Sequence, residues 1–313
     1  MAQYLTKRVL RSFITLFIVC TIVFCLLRLM PIEGYFNNFD KLTPAQISRA
    51  LDAKGLNDPI IVQLQHFYND LIHGDLGNST RMKPGVAITE ILKSRIPVSM
   101  FLGAISLGFA LVLAIPLGRI MARHKNGLPD HIGTIFIVVI NAVPAVVYYL
   151  FIQMYGTDLF GFPILFRRGD VMSFILPVIS LSLGNIAYYA MWIRRYMLDE
   201  SNKDYVKLAI AKGVNSKDVM SKQIFRNAFV PLIQYIPTSF LLTMVGSIYV
   251  ESLYSIPGMG GLLVKAIQSQ DNTIVQALVL IYSAISIIGL ILGDIMMTII
   301  DPRISFAKKG GSR

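Results

Sequence analysis

Tyr205, Leu208, Ala209 and Lys212 recur at helical spacing in the charged stretch DYVKLAIAKGVNSKDVMSKQIFRNAFVP, residues 204–231, between two long apolar runs. The chemistry open to such a set is non-covalent. The small Ala209 and Ala211 leave room for another surface to come close, and Gly213 stops the helix where a residue without Cβ can turn left-handed. Asn215 can cap a second helix with Asp218 in its first turn, carrying Val219, Met220, Ile224 and Phe225 toward Arg226 and Asn227. A helix, a turn and a helix of this kind make a docking element. Spacing alone equally admits an ordinary basic loop with an amphipathic helix in it.

Other reactive residue types do not converge. The four histidines, His66, His73, His124 and His131, are scattered with no metal-ligand spacing. No glycine-lysine loop that could cradle phosphates is present, so ATP hydrolysis is not expected of this chain, and nothing marks a catalytic, cofactor or metal site. Cys20 and Cys25 both fall in the first apolar run and read as small buried residues rather than a disulfide or metal pair.

The elements that carry these residues follow from composition. A chain of 313 residues that is 54% hydrophobic and 15% charged is an integral membrane protein, not a soluble domain. Apolar runs near 10–30, 98–119, 132–155, 174–193, 232–250 and 275–300 each approach the roughly 20 residues that a helix needs to cross a bilayer. The first leads into Arg28 and Pro31 without a small-residue cleavage site, so it is expected to stay as a span rather than leave as a signal peptide. Lysine and arginine gather at 7–11, 119–125, 194–226 and 303–313, whereas the short opposite segments hold only Arg167, Arg168 and Lys265. Both termini and the docking segment are therefore expected on the cytoplasmic side. This topology accounts for the net charge of +11 without a nucleic-acid partner.

The expected organisation is all-α. An N-terminal helix spans 1–30, an extracytoplasmic helical region 31–97, a transmembrane core 98–303 with the loop 204–227, and a cytoplasmic tail 304–313. Within 31–97 seven basic residues balance seven acidic ones, which makes this region a poor membrane-surface patch and favours a folded cap. Thr43, Pro44 and Gln46 read as a capping box closed by Gly55. Asp58 and Pro59 open a helix with an Ile60, Leu64, Phe67 and Leu71 stripe that stops before Gly74, and a short interfacial helix at 86–92 leads to Pro97.

Polar groups inside the spans need partners, because an unpaired one in hydrocarbon costs several kcal/mol. Asn141, Ser180, Ser182, Asn185, Gln234, Ser239, Thr243 and Ser247 are candidates for lining a wet path, and each is equally open to helix-to-helix bonding. Gly103, Ser106, Ala110 and Ala114 form a small-residue packing face. Asp294, beside Gly293, reads as a buried hydrogen-bonded contact rather than a proton relay, since no second intramembrane acid or base stands ready to pass a proton on.

With these residues in place, the chain resembles the permease subunits of ATP-binding-cassette importers for dipeptides and oligopeptides. The likeness rests on YLTKRVLRSF and VFCLLRLMP, GLNDPIIVQ and HGDLGNS, IPLGRIMA, VESLYSIPGMGGLLVKAI and DPRI, in this order along nearly the whole chain. In that family the segment similar to DYVKLAIAKG and FRNAFVP is a coupling loop seated in a groove of an ATPase subunit. The resemblance thus assigns coupling to Tyr205, Ala209, Ala211, Lys212, Gly213, Arg226, Asn227 and Pro231, while Gln223 departs from the histidine many members carry. It implies a type I importer permease fold of six spans in a bacterial cytoplasmic membrane. It also implies a second related permease, two ATPases that bind the ATP and magnesium, and a separate solute-binding protein. Peptides are the leading cargo, with nickel chelates and glutathione as alternatives, and an ion-coupled secondary transporter is the remaining class.

Overall fold

The structure, a computed structural model, describes residues 2–36, 39–246 and 248–300; among these the regular structure is helical apart from one antiparallel bridge between Asn78 and Ala87. In chain order the helices are α1 (Ala2–Arg28), α2 (Pro44–Ala53), α3 (Ile60–Ile72), α4 (Ile88–Arg123), α5 (Leu128–Ala142), α6 (Ala145–Phe160), α7 (Ile175–Ser201), α8 (Asp204–Ala211), α9 (Ser216–Asp218), α10 (Phe225–Ile233), α11 (Tyr235–Gly246), α12 (Ile248–Leu253), α13 (Met259–Gln268) and α14 (Asn272–Ile300). Among the described residues five stretches are long and apolar enough to cross a membrane, Val9–Arg28, Ile88–Arg123, Val171–Ser201, Tyr235–Leu253 and Asn272–Met296, and the bent pair Leu128–Ala142 and Ala145–Phe160 makes a sixth if it is one span. Ser247, the DPRI segment and the tail 304–313 lie outside the described residues.

Two expected boundaries move. The run 132–155 is not one straight helix: α5 and α6 meet at 108° across Val143 and Pro144. Proline disfavours the helical conformation in the residue before it, and Val143 is extended, with φ −87° and ψ 130°. The expected break at Pro97 does not occur, because α4 runs unbroken from Ile88 through both Pro97 and Pro116. A proline inside a membrane helix forfeits one hydrogen bond, and neighbouring helices hold the rest of the helix together.

The centre of the fold is the seam between α4 and α7. Ala110, Ala114, Gly118 and Ala122 recur every fourth residue on the buried face of α4, opposite the buried Ala187 and Ala190 of α7. A Cβ on Gly118 would lie 2.8 Å from the Ala190 carbonyl oxygen, so the backbones approach as only small residues permit. Ser182 of α7 donates to the Ser106 carbonyl at 2.9 Å, and Gly103 faces the backbone of Met244. Gly293 likewise backs onto the carbonyl of Gln234.

Two buried carboxylates tie the outer elements to this core. Glu251 of α12 accepts from Ser99 Oγ at 2.6 Å and from the backbone N–H groups of Gly260 and Gly261 at 2.7 and 3.2 Å. It sits at the N-terminus of α13, where the helix dipole favours an anion. Asp271, just before α14, accepts from Ser79 Oγ at 2.6 Å and from the backbone N–H groups of Thr80, Arg81 and Met82 at 2.9–3.1 Å. The loop that follows α3 is thereby fastened to the last span.

Burial raises the Asp271 carboxyl pKa, yet its bonds from Ser79, Arg81, Met82 and Ile274 outweigh this and hold it below the usual carboxylate range. A carboxyl depressed on folding contributes its full stability above the unfolded pKa of about 3.9 and loses it as pH falls through the lower folded value. Asp271→Ala is expected to destabilise the outer region by roughly 3 kcal/mol or more at pH 7, from several orphaned donors at about 1–3 kcal/mol each. Thermal unfolding in detergent checks this: the deficit against the parent should hold from pH 7 to 5 and shrink below about pH 4.

Residues 39–87 fold into a cap of short helices and turns with the predicted capping contacts. Thr43 Oγ1 accepts from Gln46 N while Gln46 Oε1 accepts from Thr43 N, and Gly55 and Gly74 turn with φ +63° and +76°. Phe67 and Tyr68 of α3 pack on Phe24 and Phe17 of α1, each with ring centroids 4.8 Å apart. Arg28 stacks on the rings of Phe24 and Tyr35 at 4.7 and 5.3 Å. Cys20 and Cys25 are free thiols.

Candidate functional site

The segment after α7 builds a helix pair from local signals. Lys203 is extended, α8 runs over Asp204–Ala211, and Gly213 then turns with φ +78°. A Cβ on Gly213 would meet nothing within 4 Å, so the glycine is required by its backbone conformation and not by crowding. Asn215 Oδ1 accepts from Lys217 N at 2.9 Å and starts α9. The chain then passes through a wider π-helical turn, Val219–Ile224, into α10.

One face of this pair belongs to the chain's own core. Val206, Ala209, Val219, Ile224, Ala228 and Leu232 are buried in the same cluster as α4 and α7. Ala209, expected on the docking face, is 9% exposed and packs inward; its small side chain serves α8's seat on this protein. The outward side carries Leu208, 55% exposed, with Ala211, while Ile210, 57% exposed, lies at the edge of the inward side; exposed Lys212, Gly213 and Val214 follow. Helical geometry explains the split, since positions 206 and 209 share one side and 208 and 211 another.

Tyr205 and Asn227 latch the two helices together. The Tyr205 hydroxyl donates to Glu200 Oε1 at 2.9 Å and accepts from Asn227 Nδ2 at 3.1 Å. Arg226 is exposed, and Phe225 beside it stacks under Arg119 of α4, 4.5 Å from ring centroid to guanidinium. The pair is therefore braced against α4 and the end of α7.

In the spans, most of the polar residues expected to line a path are bonded to groups on neighbouring helices. Ser180 is 0% exposed and its hydroxyl lies 3.0 Å from that of Tyr254, so it does not face a path in this conformation. Asn185 Nδ2 donates to Thr243 Oγ1 at 3.2 Å, the Tyr189 hydroxyl to Ser239 Oγ at 2.8 Å, and Gln234 Nε2 to Asp294 Oδ1 at 3.0 Å. These bonds join α7 to α11, and the junction of α10 and α11 to α14. Asn141, one residue before the end of α5, is exposed beside the bend.

Residues 114–306 match the family described as the binding-protein-dependent transport system inner membrane component, and residues 1–102 match the N-terminal part described for such membrane components. The chain belongs to this family.

Among similar family members, the oligopeptide transport system permease protein AmiC of Streptococcus pneumoniae is 40% identical over 221 residues, 70% of this chain and 44% of AmiC. The match thus spans less than half the length of that relative. Dipeptide transport system permease proteins DppB match almost end to end. The one from Lactococcus lactis is 33% identical over 97% of this chain and 99% of its own length, and the one from Bacillus subtilis 30% identical over 99% and 100%. A chain of the MetNI methionine ABC transporter, solved in inward-facing conformations, superposes with a TM-score of 0.53 at 14% identity, covering 68% of this chain and 97% of that one. At that identity the likeness concerns the fold, the all-α fold of a type I ABC importer permease.

The permease also carries a feature that a search for span hydroxyls and amides overlooks. Tyr188, Trp192 and Tyr196 repeat every fourth residue along α7, half-buried on one face. Trp192 stacks on Tyr196 with centroids 5.3 Å apart, Tyr188 meets Trp192 and Tyr235 at 6.3 Å each, and the Arg195 guanidinium lies 5.0 Å from the Trp192 ring. The i, i+4 aromatic spacing in YYAMWIRRY is the signal that finds it. No group of three or more His, Cys, Asp or Glu side chains able to hold a metal exists among the described residues.

Proposed function

We propose that this chain is the membrane-spanning permease subunit of an ATP-driven importer that carries di- and oligopeptides across the bacterial cytoplasmic membrane. The observation that carries the reading is the end-to-end match to dipeptide permeases, 97% of the chain against 99% of the relative. In this reading a second, related permease completes the path, two ATPase subunits bind ATP and magnesium, and a solute-binding protein delivers cargo from outside. The chain itself holds no cofactor. Both termini lie in the cytoplasm.

The exposed end of α8, from Leu208 and Ala211 to the left-handed Gly213, is what an ATPase groove would grip. Leu208, Ile210, Ala211, Lys212 and Gly213 make the contact; Tyr205 and Asn227 hold the pair rigid, Ala209 seats it, and Arg226 flanks it. Closure of the ATPases then moves α4 and α7 as rigid bodies. Peptides pass along the face that bears Tyr188, Trp192, Tyr196 and Tyr235, close to Asn185, Ser239 and Thr243. Aromatic rings accept varied side chains by stacking and demand no sequence, as a carrier of many peptides needs.

Two measurements test this. In a background lacking Cys20 and Cys25, a cysteine at Asp70 should react with an impermeant thiol reagent on intact cells and one at Asn215 should not; the reverse pattern overturns the orientation. Trp192 is the chain's single tryptophan, so the parent-minus-Trp192→Phe difference isolates its fluorescence in the assembled complex. A dipeptide bearing a nitrophenyl side chain should quench that difference, and a nickel chelate or glutathione should not compete. Quenching by brominated lipid instead would mean that the aromatic face meets the bilayer.

A further inference from the structure

A cavity of about 500 Å³ opens where the inner end of α4 meets α9 and the π-helical turn after it, lined by Arg119, Arg123 and Lys217 together with Ser216 and Ser221 and with no acidic side chain. The nearby Asp218 is engaged by Lys222 Nζ at 3.0 Å. Arg119 is held in place by its stack on Phe225, which leaves the edge of the guanidinium free to donate. Three cations facing one space without a counter-charge fit an anion with several oxygens, and a phosphate group has that chemistry.

The α4 face above the cavity states which phosphate. Phe109, Leu113, Pro116 and Ile120 are all exposed and fall at i, i+4, i+7 and i+11, so they form one continuous apolar stripe along the helix. The stripe descends through the membrane-spanning part of α4 and ends at Arg123, on the same face, at the mouth of the cavity. A molecule with hydrocarbon chains and an anionic head would lie along the stripe and drop its head among the three cations.

We propose that this is a binding site for an anionic phospholipid of the inner leaflet, with its headgroup phosphate held by Arg119, Arg123 and Lys217. Two of these cations belong to a span and one to the coupling turn, so the bound lipid bridges the elements that must move together. A neutral lipid lacks the net charge to hold three cations, and the bridge is then missing.

The test uses the full chain in its assembled complex. The complex is placed in nanodiscs of phosphatidylcholine with increasing phosphatidylglycerol and examined by native mass spectrometry. Phosphatidylglycerol should stay bound, and the combined change Arg119→Gln, Arg123→Gln and Lys217→Gln should weaken its retention on the order of 100-fold, since each basic residue near an anionic surface contributes about one kcal/mol. Phosphatidylcholine retention should match the parent, and Arg123→Gln with Lys217→Gln, which keeps the Arg119 stack on Phe225, should lose phosphatidylglycerol at the parent's melting temperature, which separates loss of the site from loss of the fold, and Arg123→Gln alone should give an intermediate loss. Equal phosphatidylglycerol retention by parent and triple variant overturns the site. Protection of the cations by inorganic phosphate alone, in phosphatidylcholine discs, would mean a free phosphate and overturns the lipid. Retention on the isolated chain that vanishes in the complex would mean that an acidic partner group fills the cavity, and also overturns it. No peptide enters the measurement, so its outcome is independent of the cargo.

Discussion

Gly213→Val should abolish the coupling of ATP hydrolysis to transport while the protein still inserts and assembles its spans. The residue turns with φ +78°, a conformation that costs a β-branched residue roughly 1–3 kcal/mol or forces the turn to rearrange. Space is open around it, so the damage is confined to the direction in which α8 and α9 are aimed. Substrate-stimulated ATP hydrolysis by the complex in liposomes should fall at least about tenfold, the consequence of losing roughly 1.4 kcal/mol of productive contact. Leu208→Asp with Ile210→Asp should do the same from the exposed face of α8, with no loss of fold. Ala209→Arg should behave differently: it drives a charge into the core shared with α4 and α7, so expression should drop along with activity.

The second large effect lies at the opposite end of the molecule. Glu251→Ala should prevent stable folding of the region where α12 and α13 meet α4. The change strands the N–H groups of Gly260 and Gly261 and the hydroxyl of Ser99, which itself accepts from Met259 N at 2.8 Å. At about 1–3 kcal/mol for each buried orphan, the loss is several kcal/mol, comparable with the whole margin of many domains. Glu251→Gln keeps an acceptor and should be milder. Gly258→Ala should resemble Glu251→Ala, because the added Cβ falls on the Glu251 carboxylate while its bonds to α13 hold it in place. Detergent-solubilised yield and melting temperature rank the three.

What the sequence reveals of this architecture is what neighbours in the chain decide. The membrane setting, the Thr43 capping box, the left-handed Gly213 and the small-residue face of α4 each arise from residues a few positions apart, and the structure contains all of them. The side of α8 that carries Ala209 could not be read in this way. Spacing shows that 206 and 209 share a face, whereas only the position of α4 and α7 decides that this face turns inward. Asp271 and Ser79 stand 192 residues apart and Glu251 and Ser99 152 apart, and nothing local marks such pairs. The bend at Pro144 is legible in that proline and in Val143 before it, whereas its 108° size is not, since hydropathy across 132–155 is continuous. The column of Tyr188, Trp192 and Tyr196 was open to view in its periodicity, but stays hidden when only hydroxyls and amides are sought as path-lining groups.

The most direct measurement is uptake of a labelled dipeptide into proteoliposomes that contain this chain, its related permease and the ATPases, with the solute-binding protein supplied on the outside and ATP trapped within. The account predicts accumulation that requires ATP, the binding protein and this chain, and that is lost with Leu208→Asp and Ile210→Asp while the complex remains assembled. Uptake that proceeds without ATP, driven by an ion gradient and indifferent to the α8 variants, would contradict it.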